Sequence, residues 1–231
     1  MKLNYDIYYG TFIHRPNRFI AVIKRKDEEL IAHVPNTGRL KELLLPGAEV
    51  MLSYHPNPLR KTKYELRMIK KGMHWISIDS QLPNALASEA ISAGIIKELM
   101  DYPLLKREVV YGNSRFDIQL SGKDTCFVEV KGVTLEKEGW SYFPDAPTER
   151  GRKHIDEMIQ AVQNGHRGVL LFVVQLNTAK GFSPNSLMDP AFAQKIVEAS
   201  NAGVEILAYR CVISPEEVNI VEKIPVSFQM P

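Results

Sequence analysis

The chain has 231 residues, 45% of them hydrophobic and 24% charged, enough apolar material for one large folded domain or two smaller ones. The opening MKLNYDIYYG lacks an apolar core and the longest apolar run, Val169 to Val174, is too short to cross a bilayer, which excludes a membrane-spanning helix and leaves a soluble cytoplasmic protein as the expectation. The net charge of +2 hides an asymmetry, since residues 1–75 carry 14 Lys/Arg against 7 Asp/Glu and the remainder 15 against 20.

A basic portion suits phosphate backbones, and an acidic portion with clustered carboxylates suits a cation. From Tyr8 to about Asp79 the pattern is short strands and tight turns: Tyr9 to Ile13, Arg18 to Lys26, Leu30 to Val34, Val50 to Tyr54, Tyr64 to Ile69 and Trp75 to Ile78, with a brief helical turn at Leu40 to Leu44. So many short strands predict a small antiparallel barrel, for which the oligonucleotide-binding type is a natural candidate. Basic residues collect at its loops: Arg15, Arg18, Arg39, Arg60, Lys61 and Lys63. Tyr9, Phe12, Phe19, Tyr54 and Tyr64 are interleaved with them, a combination that suits single-stranded nucleic acid, although a small barrel needs most such rings for its interior. Asn17, Asn36 and Gly38, beside Pro16 and Pro35, read as turn formers.

A helix is predicted after Pro83, with Asn84 as its N-cap and Gly94 as its end. Glu89 lies about 60° from Leu86 on that helix, beside the apolar stripe. A strand at Lys106 to Tyr111, carrying Glu108, leads into a hairpin, Ser114 to Lys131. Its arms alternate at period two, Phe116/Ile118/Leu120 and Cys126/Val128/Val130, about the break Gly122-Lys123-Asp124. Arg115, Asp117 and Gln119 should then share the opposite face with Phe127, Glu129 and Lys131. A three-residue loop gives pair numbers summing to 246 and sets Asp117 opposite Glu129. Like charges so placed destabilise a sheet unless something compensates, and a hard cation such as Mg²⁺ would. Lys131 projects into the same space, where it could orient water or stabilise a phosphate under attack. A solvated Glu129–Lys131 pair is the plain alternative. Glu89 and Glu108 compete as a third acid.

Beyond an irregular stretch, Gly139 to Pro147, a helix is predicted from Thr148 to Asn164, its face of Ile155, Met158, Ile159 and Val162 buried. Arg150 and His154 sit in its first turns, where arginine and the positive helix end suit phosphate. A continuous apolar strand, Gly168 to Gln175, a helix from Asp189 to Asn201 and a strand from Val204 to Cys211 complete a mixed sheet flanked by helices. Cys126 and Cys211 lie in apolar strands without zinc-site spacing and read as buried thiols.

The chain resembles the sugar fermentation stimulation protein A family nearly end to end. The motifs are RPNRF (15–19), HVPNTGRL (33–40), EVVYGNSRFD (108–117), VEVKGVTL (128–135), FPDAPTERGRKH (143–154) and GVEILAY (203–209). The resemblance implies an oligonucleotide-binding barrel over residues 1–80 and a PD-(D/E)XK nuclease-like domain over 81–231. It also implies DNA as partner, single- or double-stranded, and an association with sugar utilisation. The nuclease pattern falls on Asp117 and Glu129-Val130-Lys131, with Glu89 as the helix acid and Arg150 or His154 as accessory residues. Phe116 stands where the pattern's proline would be. With Mg²⁺ or Mn²⁺ held by Asp117 and Glu129, the expectation is a metal-dependent deoxyribonuclease. The competing expectation is a non-catalytic DNA-binding regulator with a vestigial site. Homo-oligomer formation is left open.

Overall fold

The computed structural model describes every residue except Tyr5, Thr37, Asn113 and Pro231, so two positions of the quoted motifs, Thr37 and Asn113, lie outside the described residues. The first six strands are β1 (Asp6–Asn17), β2 (Ile20–Arg25), β3 (Glu28–His33), β4 (Glu49–Tyr54), β5 (Tyr64–Lys71) and β6 (His74–Ser77). They run in the order β3-β2-β1-β4-β5-β6, and a parallel pairing of Ala32 and His33 with Tyr64 and Glu65 closes β3 onto β5. Closure joins β3 to β5 and turns one face inward, with β6 left at the margin on β5. Of the five interleaved aromatics only Phe12 enters the core fully; Tyr54 and Tyr64 are half-buried and Tyr9 and Phe19 exposed. Residues 40–44 form a single turn, with Leu40 accepting from the N–H groups of Leu43 and Leu44.

The second half is a six-stranded mixed sheet of β7 (Leu104–Tyr111), β8 (Ser114–Ser121), β9 (Thr125–Val133), β12 (Arg167–Val174), β14 (Glu205–Ile213) and β15 (Val218–Lys223), ordered β15-β14-β12-β9-β8-β7. Helix α1 (Leu82–Ser92) covers one face, with Leu86, Ala90 and Ile91 packed in one cluster with Ile118, Val128, Val130 and Leu171. Helices α2 (Glu149–Gln163) and α3 (Pro190–Asn201) cover the other, over Leu170, Phe172 and Val174. That second cluster is continuous with the barrel interior, so the two halves share a core. The stretch expected to be irregular contains β11 (Trp140–Phe143), which joins β10 (Leu135–Lys137) and β13 (Gly181–Pro184) in a small separate sheet. Cross-pairing of β11 with a strand some forty residues away has no local signal, which is why periodicity missed it.

One buried carboxylate fixes the start of both helices. Asp189, 4% exposed, caps α3 by accepting from the Phe192 N–H at 2.9 Å, and also accepts from the Thr148 N–H at 2.9 Å and from Arg152 at 2.8 and 3.0 Å. Thr148 in turn caps α2, its hydroxyl accepting from the Gly151 N–H at 3.0 Å. Burial pushes the Asp189 carboxyl up, but these donors outweigh it and hold the group below its ordinary value of 3.8. Asp189→Ala should therefore lower the unfolding free energy by about 2 to 4 kcal/mol in urea titrations. The folded value lies below the unfolded one, so the difference between wild type and variant should be complete above pH 3.8 and shrink as pH falls through the folded value.

Candidate active site

The hairpin register is the expected one through Ile118–Val128, Gln119–Phe127, Leu120–Cys126 and Ser121–Thr125, after which the ladder stops short of Asp117 and Glu129. Asp117 instead turns its carboxylate onto the neighbouring strand, where Oδ2 accepts from the Val130 N–H at 2.8 Å. On its other side β7 pairs Arg107 with Ile118 and Val109 with Phe116, leaving Glu108, at φ +56°, opposite Asp117 without a ladder pair. The alternation of β8 breaks here. Ile118 and Leu120 pack beneath α1, but Phe116 packs on the α2 side with Phe127 and Tyr111, ring centroids 5.0 and 6.0 Å away. The expectation that Phe116, Ile118 and Leu120 share a face is thus corrected, because Asp117 satisfies a backbone donor in place of the ladder.

Glu129 projects from β9 toward α2 and is 2% exposed. Its Oε1 accepts from Lys131 Nζ at 2.6 Å and from His154 Nδ1 at 2.5 Å. With Nδ1–H donating, His154 Nε2 is the acceptor that faces Arg150 Nε at 3.5 Å. The Glu129–Lys131 pair exists, but it is buried rather than solvated. Glu129 Oε2 is sealed from solvent and has no hydrogen-bond partner among the described residues. Asp117, Glu129, Lys131, Arg150, His154 and Glu108 line one cleft of about 660 Å³.

The two acids are driven apart in acidity. Burial, reinforced by the charge of Glu129, raises the Asp117 carboxyl above its ordinary value. Burial also pushes Glu129 up, but His154 and Lys131 more than offset it and leave Glu129 below its ordinary value.

One expected site residue is elsewhere. Glu89 is half exposed and pairs with the amino group of Met1 at 3.0 Å. Five residues separate it from Asn84, about 140° around the helix, so only one of the two can face Asp117. It is Asn84 that does so, its Nδ2 donating to Asp117 Oδ1 at 2.7 Å, while the N-cap position of α1 is Gln81. Glu108 remains at the cleft, paired with Arg115 at 3.0 Å. In the barrel, Arg15 donates to the carbonyl oxygens of Gly38 (2.9 Å), Arg39 (3.3 Å), Asn36 (2.7 Å) and Arg18, so its guanidinium fastens a loop. Arg60 is held by Glu65 at 2.8 Å. Arg18, Arg39, Lys61 and Lys63 are exposed. Asn36 forms the expected turn, accepting from the Gly38 N–H at 2.7 Å and donating to Ile78 O at 2.8 Å. Both cysteines are buried and free, and burial pushes each thiol up to about 12.

Residues 13–78 match the SfsA N-terminal OB domain, and residues 81–217 the sugar fermentation stimulation protein RE domain. The chain belongs to the sugar fermentation stimulation protein family. Among its relatives, the sugar fermentation stimulation protein homolog of Thermoanaerobacter sp. (strain X514) is 46% identical over 228 residues, covering 98% of this chain and 99% of that one. The homolog of Clostridium tetani (strain Massachusetts / E88) is 47% identical over 229 residues, with the same coverage. The structure of Pyrococcus furiosus SfsA in complex with Ca²⁺ superposes with a TM-score of 0.90 at 29% identity, covering 98% of each chain. The barrel followed by a mixed sheet with three helices is therefore the architecture of the family. No helix among the described residues is long and apolar enough to cross a membrane.

Among the described residues no group of three or more His, Cys, Asp or Glu side chains is arranged to enclose a metal ion. A Mg²⁺-type cation does not require one, since it keeps waters and substrate oxygens and takes only one or two carboxylates. The Oε2 of Glu129, unpartnered among the described residues and lining one cleft with the half-buried carboxylate of Asp117, fits that donor set. Carboxylate ¹³C titration should show Asp117 ionising above 3.8 and Glu129 below 4.5. Added Mg²⁺ should lower the Asp117 value, since a neighbouring cation favours the ionised form. Asp117 then works against folding as pH rises from 3.8 to its folded value, and Glu129 supports folding above pH 4.5 and ceases to as pH falls through its own.

Proposed function

We propose that this protein is a metal-dependent phosphodiesterase acting on DNA, with Mg²⁺ or Mn²⁺ held by Asp117 and Glu129. The observation that carries the reading is the sealed, unpartnered Oε2 of Glu129, an anionic acceptor left over after Lys131 and His154 have taken Oε1. That a relative's structure is described as a complex with Ca²⁺ supports a divalent cation here. When bound, the cation supplies Lewis-acid polarisation of the scissile phosphate. Asn84 and the Val130 N–H hold the Asp117 carboxylate in place. Lys131 orients the attacking water, its ammonium fixed by Glu129 at 2.6 Å. Arg150, exposed at the cleft mouth, meets phosphate charge, and Glu108, at the rim opposite Asp117, is the better third acid than Glu89. Exposed Lys61, Lys63, Arg18 and Arg39 give the barrel sequence-independent affinity for the backbone.

A second reading rests on a different observation. Lys131 and His154 already satisfy one oxygen of Glu129, and Arg150 extends the positive side of the cleft. A site so arranged grips a phosphate without cleaving it, as a DNA-binding regulator of sugar utilisation would.

Labelled single-stranded and duplex DNA incubated with Mg²⁺, Mn²⁺ or EDTA separates the two. The nuclease reading expects cleavage that EDTA abolishes and that Asp117→Ala and Lys131→Ala each reduce by about 10²- to 10³-fold. Binding without cleavage in every condition selects the regulator. Independently, Lys61→Ala and Lys63→Ala should each flatten the log–log dependence of affinity on salt by about 0.7 for single strands. A salt dependence unchanged in both variants would remove the barrel from the interface.

A further inference from the structure

A second opening adjoins the carboxylate cleft where the barrel meets the mixed sheet. It holds about 600 Å³, the size of a site for one small ligand, and shares Lys131, Phe143 and Arg150 with its neighbour. Gln175 is part of its lining. This residue follows β12 directly, and its backbone N–H donates to Val133 O at 2.8 Å. The residue is 1% exposed, and its Oε1 is sealed and has no hydrogen-bond partner among the described residues. A buried carboxamide with an unmet acceptor is costly in the free protein, and packing alone would favour an apolar residue of the same shape. Gly132 lets Pro83 and the carboxamide close in on the backbone, for an added Cβ there would meet Pro83 Cγ at 2.6 Å and Gln175 Nε2 at 3.2 Å, so the Gln175 side chain is held in one place at the opening.

The surroundings select the ligand. A carboxamide offers a donor and an acceptor side by side, the pattern that matches a base edge. Phe143, whose ring also packs on Phe172 and Phe192, and Pro144 line the opening as apolar walls, and Asp145, whose Oδ2 already accepts from the Arg39 N–H at 2.9 Å, adds a second acceptor through its other oxygen. Arg18 and Arg150 line the same opening, both exposed, as a backbone entering and leaving would require. Two acceptors and a restricted volume favour a single unpaired base that carries an exocyclic amino group. We infer that the opening lined by Gln175, Gly132 and Asp145 takes one unpaired amino-bearing nucleobase beside the phosphate held at the carboxylate site, with Gln175 as the residue that distinguishes it. The inference rests on the nucleic-acid reading above, but not on cleavage.

The test is fluorescence anisotropy of labelled oligodeoxycytidylate and oligothymidylate of equal length, in EDTA, with wild type and Gln175→Met. Cytosine and thymine differ at the ring position that carries an amine in one and an oxygen in the other. Wild type should bind oligodeoxycytidylate about tenfold more tightly, the gap expected of a base contact. Gln175→Met should bring the two within about twofold by weakening only the cytosine oligomer, with a melting temperature no lower than wild type. On the wild type itself, dimethylation of the cytosine N4 should lower affinity to that of thymidylate, a result independent of how any variant folds. Equal binding of the two oligomers by wild type, or a preference that survives Gln175→Met or N4 dimethylation, would overturn the subsite alone. Absence of binding to either oligomer, in EDTA and again with Ca²⁺ added, would overturn it together with the nucleic-acid reading. Discrimination without cleavage in Mg²⁺ would support the subsite and remove only the nuclease.

Discussion

Burying one carboxylate at the end of a sheet is the constraint from which the rest of this site follows. Glu129 is removed from water on a strand with neighbours on both sides, and an isolated charge there would be strongly disfavoured. It is tolerated because Lys131, two residues along the same face, and His154, one turn into α2, both reach Oε1. The histidine can do so only if α2 begins at a fixed place. Asp189 sets that place by tying the first residues of α2 to those of α3, so a carboxylate remote in sequence determines the geometry around Glu129. The unused Oε2 is then a property of the assembled fold rather than of any one segment.

Asp117 has the opposite character. It sits where the ladder on either side fails, and its two oxygens take the place of backbone pairing, one on Val130 and one on Asn84 of α1. The same residue therefore ends one alternation pattern, starts another and joins the helix on one face of the sheet to the site on the other. Its raised pKa and the lowered one of Glu129 are two consequences of unequal neutralisation. Two positive or donating groups sit on Glu129, and only neutral amide donors on Asp117.

Much of this was legible in the residues. The loop Gly122-Lys123-Asp124 gave the hairpin register, and the faces of Glu129 and Lys131 followed from period two. The expected helix starts at Thr148 and Asp189 fell on the residues that cap α2 and α3. What could not be read were the long-range polar contacts. Asn84 has the residue type of an N-cap and the position of a carboxylate partner, and only packing of α1 on β8 decides between them. Arg15 and Arg60 look like their exposed neighbours, because composition does not reveal whether a guanidinium meets carbonyls of its own chain or solvent. Glu89 misled for a geometric reason, since being near a stripe fixes a side of the helix but not the partner across it. Gln175 closes an ordinary apolar strand, and its isolation is visible only once Gly132 and Pro83 are beside it.

The interruption at Glu108 reaches beyond the cleft. Strand β7 is the outermost of its sheet, and outer strands offer unpaired amides on which another chain can add itself. Here the run Lys106-Arg107-Glu108 puts charge at the middle of that margin, and the left-handed backbone of Glu108 breaks its flatness. The local irregularity beside Asp117 thus also interrupts the margin on which another chain could add a strand, so the rim of the cleft and the protection of the sheet edge depend on the same residue.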